Sequence, residues 1–147
     1  MRILAIIAFL TLSSIAVAGQ DISLLNMSDM HGKRTEYPVP LETLSHTPEW
    51  TPGTKEPPLT VSAAVRITTE AGKLRFPKAD GISIQSVTLR STEYHAGAAL
   101  GGPADIVRWH YEVSVAPVIG GETFFGGSAT VIVILMDGTV VQPTHPE

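Results

Sequence analysis

The sequence predicts an α+β fold in which one helix packs on a four-stranded antiparallel sheet (a meander), preceded by an extended proline-rich arm. Apolar residues recur with helical spacing over residues 61–72. Apolar and polar residues alternate strictly over residues 107–115, which is typical of a strand. Asp137-Gly138 stands between two further apolar runs and is a strong signal for a hairpin turn. Together these features favour a helix followed by consecutive, hairpin-connected strands.

The chain begins with the features of an export signal. Arg2 supplies a positive charge, the run from Ile3 to Leu12 is almost entirely apolar, and Ala16-Val17-Ala18 matches the small-x-small cleavage pattern. We therefore expect residues 1–18 to be a signal peptide and the mature protein to begin near Gly19, in a periplasm or outside the cell. An uncleaved anchor is the alternative, although a spanning helix needs about 20 apolar residues. After cleavage we expect no membrane association.

Composition excludes several classes of partner and of stabilising bond. The formal net charge is -4, and it becomes -5 without residues 1–18, whose single charge is that of Arg2. An acidic chain with scattered basic residues has no footprint for nucleic acid or anionic lipid. The sequence contains no cysteine, which rules out disulfides and a cysteine-linked lipid anchor. Stability must therefore come from a packed core.

Residues 19–56 are expected to form the arm. Proline lacks an amide donor and fixes φ, so repeated prolines disfavour long helices and central strands. Residues 22–25 are compatible with one short edge strand. The segment also carries apolar side chains, which we expect to dock on the domain: Tyr37, Val39, Leu41, Leu44 and Trp50.

The domain proper is predicted to span residues 57–147 and to begin with the helix. Thr60 is a suitable N-cap, and apolar or small side chains follow at i, i+3, i+4 and i+7: Val61, Ala64, Val65 and Thr68. Gly72 stands where a left-handed C-cap is favourable. The pattern predicts a helix over residues 61–72.

Four strands are predicted after Gly81. The apolar parity changes between Ile84 and Val87, which indicates either a β-bulge or a strand buried on both faces. Residues 107–115 are expected to have one buried and one solvated face. We expect Trp109 and Tyr111 on the buried face, under the helix. Residues 130–136 resemble a central strand, and residues 139–141 return after a two-residue turn at Asp137-Gly138.

The order of elements resembles known secreted modules. The segment Pro57 to Ala64, the strand containing Val87 and Leu89, the Trp109-x-Tyr111-x-Val113 alternation and the hairpin from Val131 to Val141 are similar to PepSY-like and cystatin-like domains of secreted bacterial proteins. The resemblance implies a non-catalytic module that regulates or inhibits peptidases in the cell envelope. The cystatin Gln-x-Val-x-Gly loop is missing, because Leu89 stands where its glycine would be. No inhibitory residue is therefore transferred.

No motif points to catalysis or to a cofactor. Gly126-Gly127-Ser128-Ala129 lacks the closing glycine of a nucleophile elbow, and no glycine-rich segment continues into the Gly-Lys-Ser/Thr of a phosphate-binding loop. We expect a protein that is not an enzyme.

One candidate binding cluster lies on the polar face of the best predicted strand. Arg108, His110 and Glu112 are two residues apart and share that face. They are compatible with a recognition patch or a pH-sensitive contact. The alternative is an ordinary solvated sheet face with cross-strand ion pairs.

A second candidate lies in the arm. Met27, Met30 and His31 bring two thioethers and an imidazole close together, a ligand set suited to Cu(I). Asp29 and His46 are near enough in sequence to assist. The alternative is that the methionines only dock on the domain.

The leading functional hypothesis is an exported, non-catalytic binding or inhibitory module with a protein or peptide partner in the cell envelope. The alternative is a copper-binding accessory protein.

Overall fold

The computed structural model of the protein describes residues 19–95, 105–125 and 130–146. The predicted signal peptide, the whole loop of residues 96–104, residues 126–129 and Glu147 lie outside these ranges. The elements in chain order are β1 (Asp21–Ser28), β2 (Arg34–Pro40), α1 (Leu41–His46), α2 (Val61–Arg75), β3 (Gly81–His95), β4 (Asp105–Ile119), β5 (Glu122–Thr123), β6 (Thr130–Leu135) and β7 (Val140–Val141).

The main sheet is antiparallel, with strand order β3-β4-β6-β7 and with β5 paired to the end of β4. This architecture confirms the predicted α+β class. The register of β3 against β4 shifts between Ile84 and Ser86, so the parity change in the sequence is a β-bulge. Gly120 and Gly121 have φ of 61° and 82° and form the turn between β4 and β5.

Helix α2 covers one face of the main sheet. The Thr60 side chain caps it by accepting from the Ala63 amide at 3.2 Å, as predicted. Ala64 and Tyr111 are buried in the same core, together with Val113, Val115, Ile132, Ile134 and Met136. Trp109 lies at the margin of this core, half-buried, and its ring meets the ring of Trp50 edge-on at 5.5 Å. The prediction of a helix-facing aromatic core is therefore confirmed most fully by Tyr111.

The predicted C-cap at Gly72 is wrong, because α2 continues through this residue to Arg75 and is capped by Phe76. The glycine serves packing instead. A Cβ at position 72 would lie 2.9 Å from Cγ1 of Ile82 on β3. Glycine thus allows the helix to lie directly against the first strand of the sheet.

We expect Gly72→Val to lower the free energy of unfolding by about 1–3 kcal/mol, the usual cost of overpacking. Gly72→Ala should cost less, since the gain in helix propensity of about 1 kcal/mol offsets part of the clash. Urea denaturation measures both. The double variant Gly72→Val/Ile82→Ala should lose less stability than the two single changes added together. A fully additive result would contradict the contact with Ile82.

The predicted arm is more structured than expected. β1 and β2 form an antiparallel hairpin with a register shift between Ser23 and Asn26, and α1 follows directly. Glu36 exchanges both main-chain hydrogen bonds with Thr144, at 2.9 and 2.8 Å, so its amide faces away from β1. Pro38 and Pro40 share the parity of Glu36 on β2, and their missing amides face the same way. The prolines therefore break no bond to β1.

The hairpin and α1 cover the second face of the main sheet. Their buried side chains join residues of β3, β6 and β7 in one core: Tyr37, Val39, Leu44, Tyr94, Val133, Leu135 and Val141. The docking of arm side chains is thus confirmed for Tyr37, Val39 and Leu44. The sheet lies between two layers, which cover β4 and β6 on both faces.

The turn after β6 contains the predicted glycine in the predicted conformation. Gly138 has a φ of 91°, which side chains resist. The loop is longer than the predicted two residues: Leu135 N donates to Thr139 O at 2.9 Å, and Gly138 N donates to Leu135 O at 2.9 Å. Three residues, Met136 to Gly138, therefore connect β6 to Thr139. Such loops commonly combine a turn with a glycine bulge.

Candidate functional site

The predicted binding cluster lies on a buried face of β4. Arg108 is 6% exposed and His110 is 1% exposed, so the interpretation of this face as solvated is wrong. The physical reason is that α1 packs on β4 from this side, and the segment that follows α1 reaches Arg108. The side chain of Glu112 is 17% exposed. Direct recognition of a partner by this cluster is therefore limited to its partly exposed edge at Glu112.

Arg108 links the main sheet to the end of the arm, at Ser45 and Glu49, through hydrogen bonds. One Nη donates to the Ser45 carbonyl at 3.1 Å and to Oε1 of Glu49 at 3.0 Å, and the other Nη donates to Val107 O at 3.1 Å. Its Nε and the hydroxyl of neighbouring Tyr94 have no hydrogen-bond partner among the described residues. Burial raises the pKa of Tyr94, although the Arg108 charge opposes this. The arm is thus held by a buried cation whose partner Glu49 is largely exposed.

His110 sits in the same layer beside a cross-strand ion pair. Its Nε2 lies 3.5 Å from Oε1 of Glu112, and Nε of Arg90 lies 3.6 Å from Oε2 of the same carboxylate. The first contact is too long for a well-formed hydrogen bond. Burial lowers the pKa of His110, Glu112 opposes that shift, and Arg90 adds to it. The imidazole is therefore neutral at physiological pH.

This arrangement makes stability depend on pH. The pKa of His110 is lower in the folded protein than in an unfolded chain, where it is about 6.5. The unfolded chain therefore binds the proton first as pH falls. The contribution of His110 to the stability of the folded protein is complete above about pH 6.5. It is lost as pH falls through the lowered pKa that this group has in the folded protein.

We expect the native protein to lose stability through this group as pH falls from about 8 to about 5.5, because the unfolded chain takes up the proton first. His110→Gln should show a flatter dependence over that interval, because glutamine does not titrate. The exposed His31→Gln variant is the matched control and should retain the native slope. Urea denaturation at a series of pH values measures all three. An unchanged slope in His110→Gln would contradict this role.

The predicted metal-ligating residues lie on β1 and in the turn that follows it. Met27 lies on β1, half-buried against the core, and Met30 is 83% exposed in the turn. Both line one surface cavity, whose lining also includes Asp29 and does not include His31 or His46. The same cavity is lined by His145, which sequence reasoning missed because it lies near the opposite end of the chain. No group of three His, Cys, Asp or Glu side chains within the described ranges is arranged to hold a metal.

A third feature is the outer edge of β3. This strand runs for 15 residues and pairs only with β4 among the described residues. Hydrogen bonds on β6 show how the peptide groups of the sheet are oriented. Leu135 N donates to Thr139 O, and Val131 O accepts from Tyr37 and Arg75, so these peptide groups point away from β4.

The alternation of an antiparallel ladder extends this orientation to β3. His110 pairs with Leu135 on β6 and with Arg90 on β3. Because its peptide groups do not face β6, they face β3 and bond to Arg90. The residues on either side of Arg90 therefore present N–H and C=O to the open edge, as does each second residue along the strand. Beyond the bulge these residues are Val87, Leu89, Ser91 and Glu93.

The comparisons with known proteins do not assign the chain to a family. No family model matches it, no curated protein matches it, and no solved structure matches it. The protein belongs to the α+β class by its own architecture, with antiparallel sheets and two helices among the described residues. None of the helices in those ranges is long and apolar enough to cross a membrane.

Proposed function

We propose that this protein is an exported, non-catalytic binding module that adds an extended segment of a cell-envelope protein or peptide to the outer edge of β3. The observation that carries the proposal is the orientation of Leu89, Ser91 and Glu93, whose peptide groups face that edge. A long edge strand with unpaired donors and acceptors is a template for another strand. Strand addition is a recurrent way to bind extended peptides.

Side chains along β3 add contacts for such a segment. Val87 and Leu89 are half-buried beside the core under α2 and offer apolar area on that face. Arg90 and Glu93 are exposed on opposite faces, since they differ in parity within one strand. Main-chain bonds would supply affinity, and pockets or charges that contact alternate side chains would supply specificity.

The sequence resemblance to PepSY-like and cystatin-like domains suggests inhibition of a peptidase as one form of this binding function. A substrate-like extended segment bound to an edge strand is compatible with such inhibition, and the proposal assigns no inhibitory residue.

Export rests on residues 1–18 of the sequence. The mass of material recovered from periplasm or medium should correspond to a chain beginning near Gly19. Full-length protein retained in a membrane fraction would contradict export.

Ser91→Pro tests the edge directly. Proline removes the outward amide and blocks an added strand, but it breaks no bond to β4 because Ser91 N does not face β4. The preceding residue is already extended, as proline requires. We expect the variant to fold and to lose binding of peptides selected on the native protein from a displayed library of random heptapeptides. Ser91→Ala, which keeps the amide, should bind as the native protein does.

The absence of cysteine offers a second test. A photo-crosslinker attached to Ser91→Cys should capture the selected peptide, whereas the same group on Ser62→Cys, at an exposed position of α2, should not. Folding of each variant is checked by circular dichroism. Selected peptides that bind Ser91→Pro and native protein equally would refute edge binding, as would preferential capture at position 62.

A further inference from the structure

A cavity of about 530 Å³ beside the turn between β1 and β2 combines residues from distant parts of the chain. Met27 and Met30 come from the N-terminal hairpin, and His145 comes from the C-terminal segment after β7. The segment is held there by Thr144, whose amide and carbonyl both bond to Glu36 on β2. The fold thus brings two thioethers and an imidazole to one surface from positions more than a hundred residues apart.

The strand register explains how Met27 and His145 come together. Met27 on β1 pairs with Thr35 on β2, and directly paired side chains of an antiparallel ladder lie about 5 Å apart at Cβ. Oγ1 of Thr35 lies 3.2 Å from Nδ1 of His145. A partner on one ring nitrogen orients the imidazole and leaves the other nitrogen for a ligand. Nε2 of His145 is the nitrogen available here.

Met30 is carried by a turn with a well-defined backbone. Oδ1 of Asp29 accepts from the amides of His31 and Lys33 at 2.8 and 2.9 Å, and Gly32 N donates to Asp29 O at 3.0 Å. These bonds place Met30 at a fixed point beside the cavity while its thioether stays free. They also engage one oxygen of the Asp29 carboxylate within the turn, which weakens that group as a ligand for a hard cation.

Positive charge beside the cavity favours monovalent over divalent metal ions. Lys33 and Arg75 line the same cavity, and Arg75 is held in place by a bond to Val131 O at 3.2 Å. Repulsion from these cations is twice as strong for a divalent ion as for a monovalent one at the same distance. Thioether ligands favour soft ions such as Cu(I). Both considerations point to a soft monovalent cation.

We propose that Met27, Met30 and His145 form a binding site for a soft monovalent cation, Cu(I) or its redox-inert analogue Ag(I). The site differs from the sequence hypothesis in its imidazole, since His145 replaces His31. It is independent of the β3 edge, which lies on another strand of the molecule. Binding requires no change in the fold, because the hairpin and the C-terminal segment already meet.

Titration of the purified protein with Ag(I), followed by the methionine ε-methyl signals in ¹³C NMR, tests the proposal. We expect one Ag(I) per chain and shifted signals for Met27 and Met30, while buried Met136 serves as an internal reference and does not move. Competition with a chromophoric chelator then gives the Cu(I) affinity. Met27→Leu/Met30→Leu keeps the apolar volume and should abolish binding, and His145→Gln should weaken it by more than about tenfold.

Two further variants separate this site from its alternatives. Thr35→Val keeps the shape of the side chain, removes the hydroxyl that orients His145, and should weaken binding by about tenfold. His31→Gln should bind as the native protein does. Binding of native strength in Met27→Leu/Met30→Leu or in His145→Gln would overturn the site. So would loss of binding in His31→Gln, or native protein that takes up no stoichiometric Ag(I). Circular dichroism establishes that each variant is folded.

Discussion

Replacing Tyr111 with alanine is expected to lower the free energy of unfolding by about 3–5 kcal/mol. Tyr111 is 1% exposed on β4 and packs in the core beneath α2. Its hydroxyl donates to the carbonyl of Leu59 at 3.0 Å, just before the N-cap of that helix. Burial raises the pKa of Tyr111, so the hydroxyl keeps its proton over the whole neutral range. The substitution removes a fully buried aromatic side chain from this core and one anchor of the helix.

The matched variant Tyr111→Phe separates packing from the hydrogen bond. It keeps the ring and leaves the buried Leu59 carbonyl without this donor, which should cost about 1–3 kcal/mol. Urea denaturation followed by circular dichroism gives both values. An alanine variant with an unchanged unfolding midpoint and slope would place Tyr111 outside the core. A phenylalanine variant as destabilised as the alanine variant would show that packing contributes little.

Replacing Tyr37 with alanine should have an effect of similar size, about 3–5 kcal/mol, on the other side of the sheet. Tyr37 lies on β2, is 2% exposed, and donates to the carbonyl of Val131 on β6 at 2.6 Å. It thus links the N-terminal hairpin to the main sheet through both apolar contact and a hydrogen bond. Amide hydrogen exchange should accelerate more in β1 and β2 than in β4, because the hairpin loses a buried attachment to the main sheet.

Comparison of the two phenylalanine variants tests the hydrogen-bond assignments. Tyr37→Phe should cost less than Tyr111→Phe, since Val131 O keeps a donor from Arg75 at 3.2 Å. The unsatisfied carbonyl, more than the lost bond, determines the cost of removing a buried partner. A larger loss in Tyr37→Phe would contradict the Arg75 contact. Unchanged stability in Tyr37→Ala would contradict the docking of the hairpin itself.

The surfaces proposed for binding depend on these layers to different degrees. The β3 edge needs only the pairing of β3 with β4, so it should persist when the hairpin is loosened by Tyr37→Ala. The soft-metal site needs the hairpin and the C-terminal segment together, and Tyr37 itself lines the cavity. Because of this difference, Tyr37→Ala should lose Ag(I) binding and should retain peptide binding.

Sequence reasoning predicted features that depend on residues close together in the chain. The start of α2 at Thr60 and Val61, the alternation of β4, the bulge in β3 and the positive φ of Gly138 all follow from local spacing or local backbone geometry. It underestimated residues 19–56, because prolines in a strand disrupt pairing only when their missing amide faces the partner. At Pro38 and Pro40 the position of the missing amide faces away from β1. Composition alone does not reveal which side of the strand that position faces.

By itself the sequence determined the α+β class, the aromatic core residue Tyr111 and the glycine of the last hairpin, since each is specified by neighbours in the chain. Only the tertiary structure decided that Arg108 and His110 are buried, because a polar face beneath a second layer has the same alternation as one in water. It likewise decided that Gly72 contacts Ile82 and that His145 joins Met27. Those juxtapositions depend on docking between distant segments, and local periodicity carries no information about which segments meet.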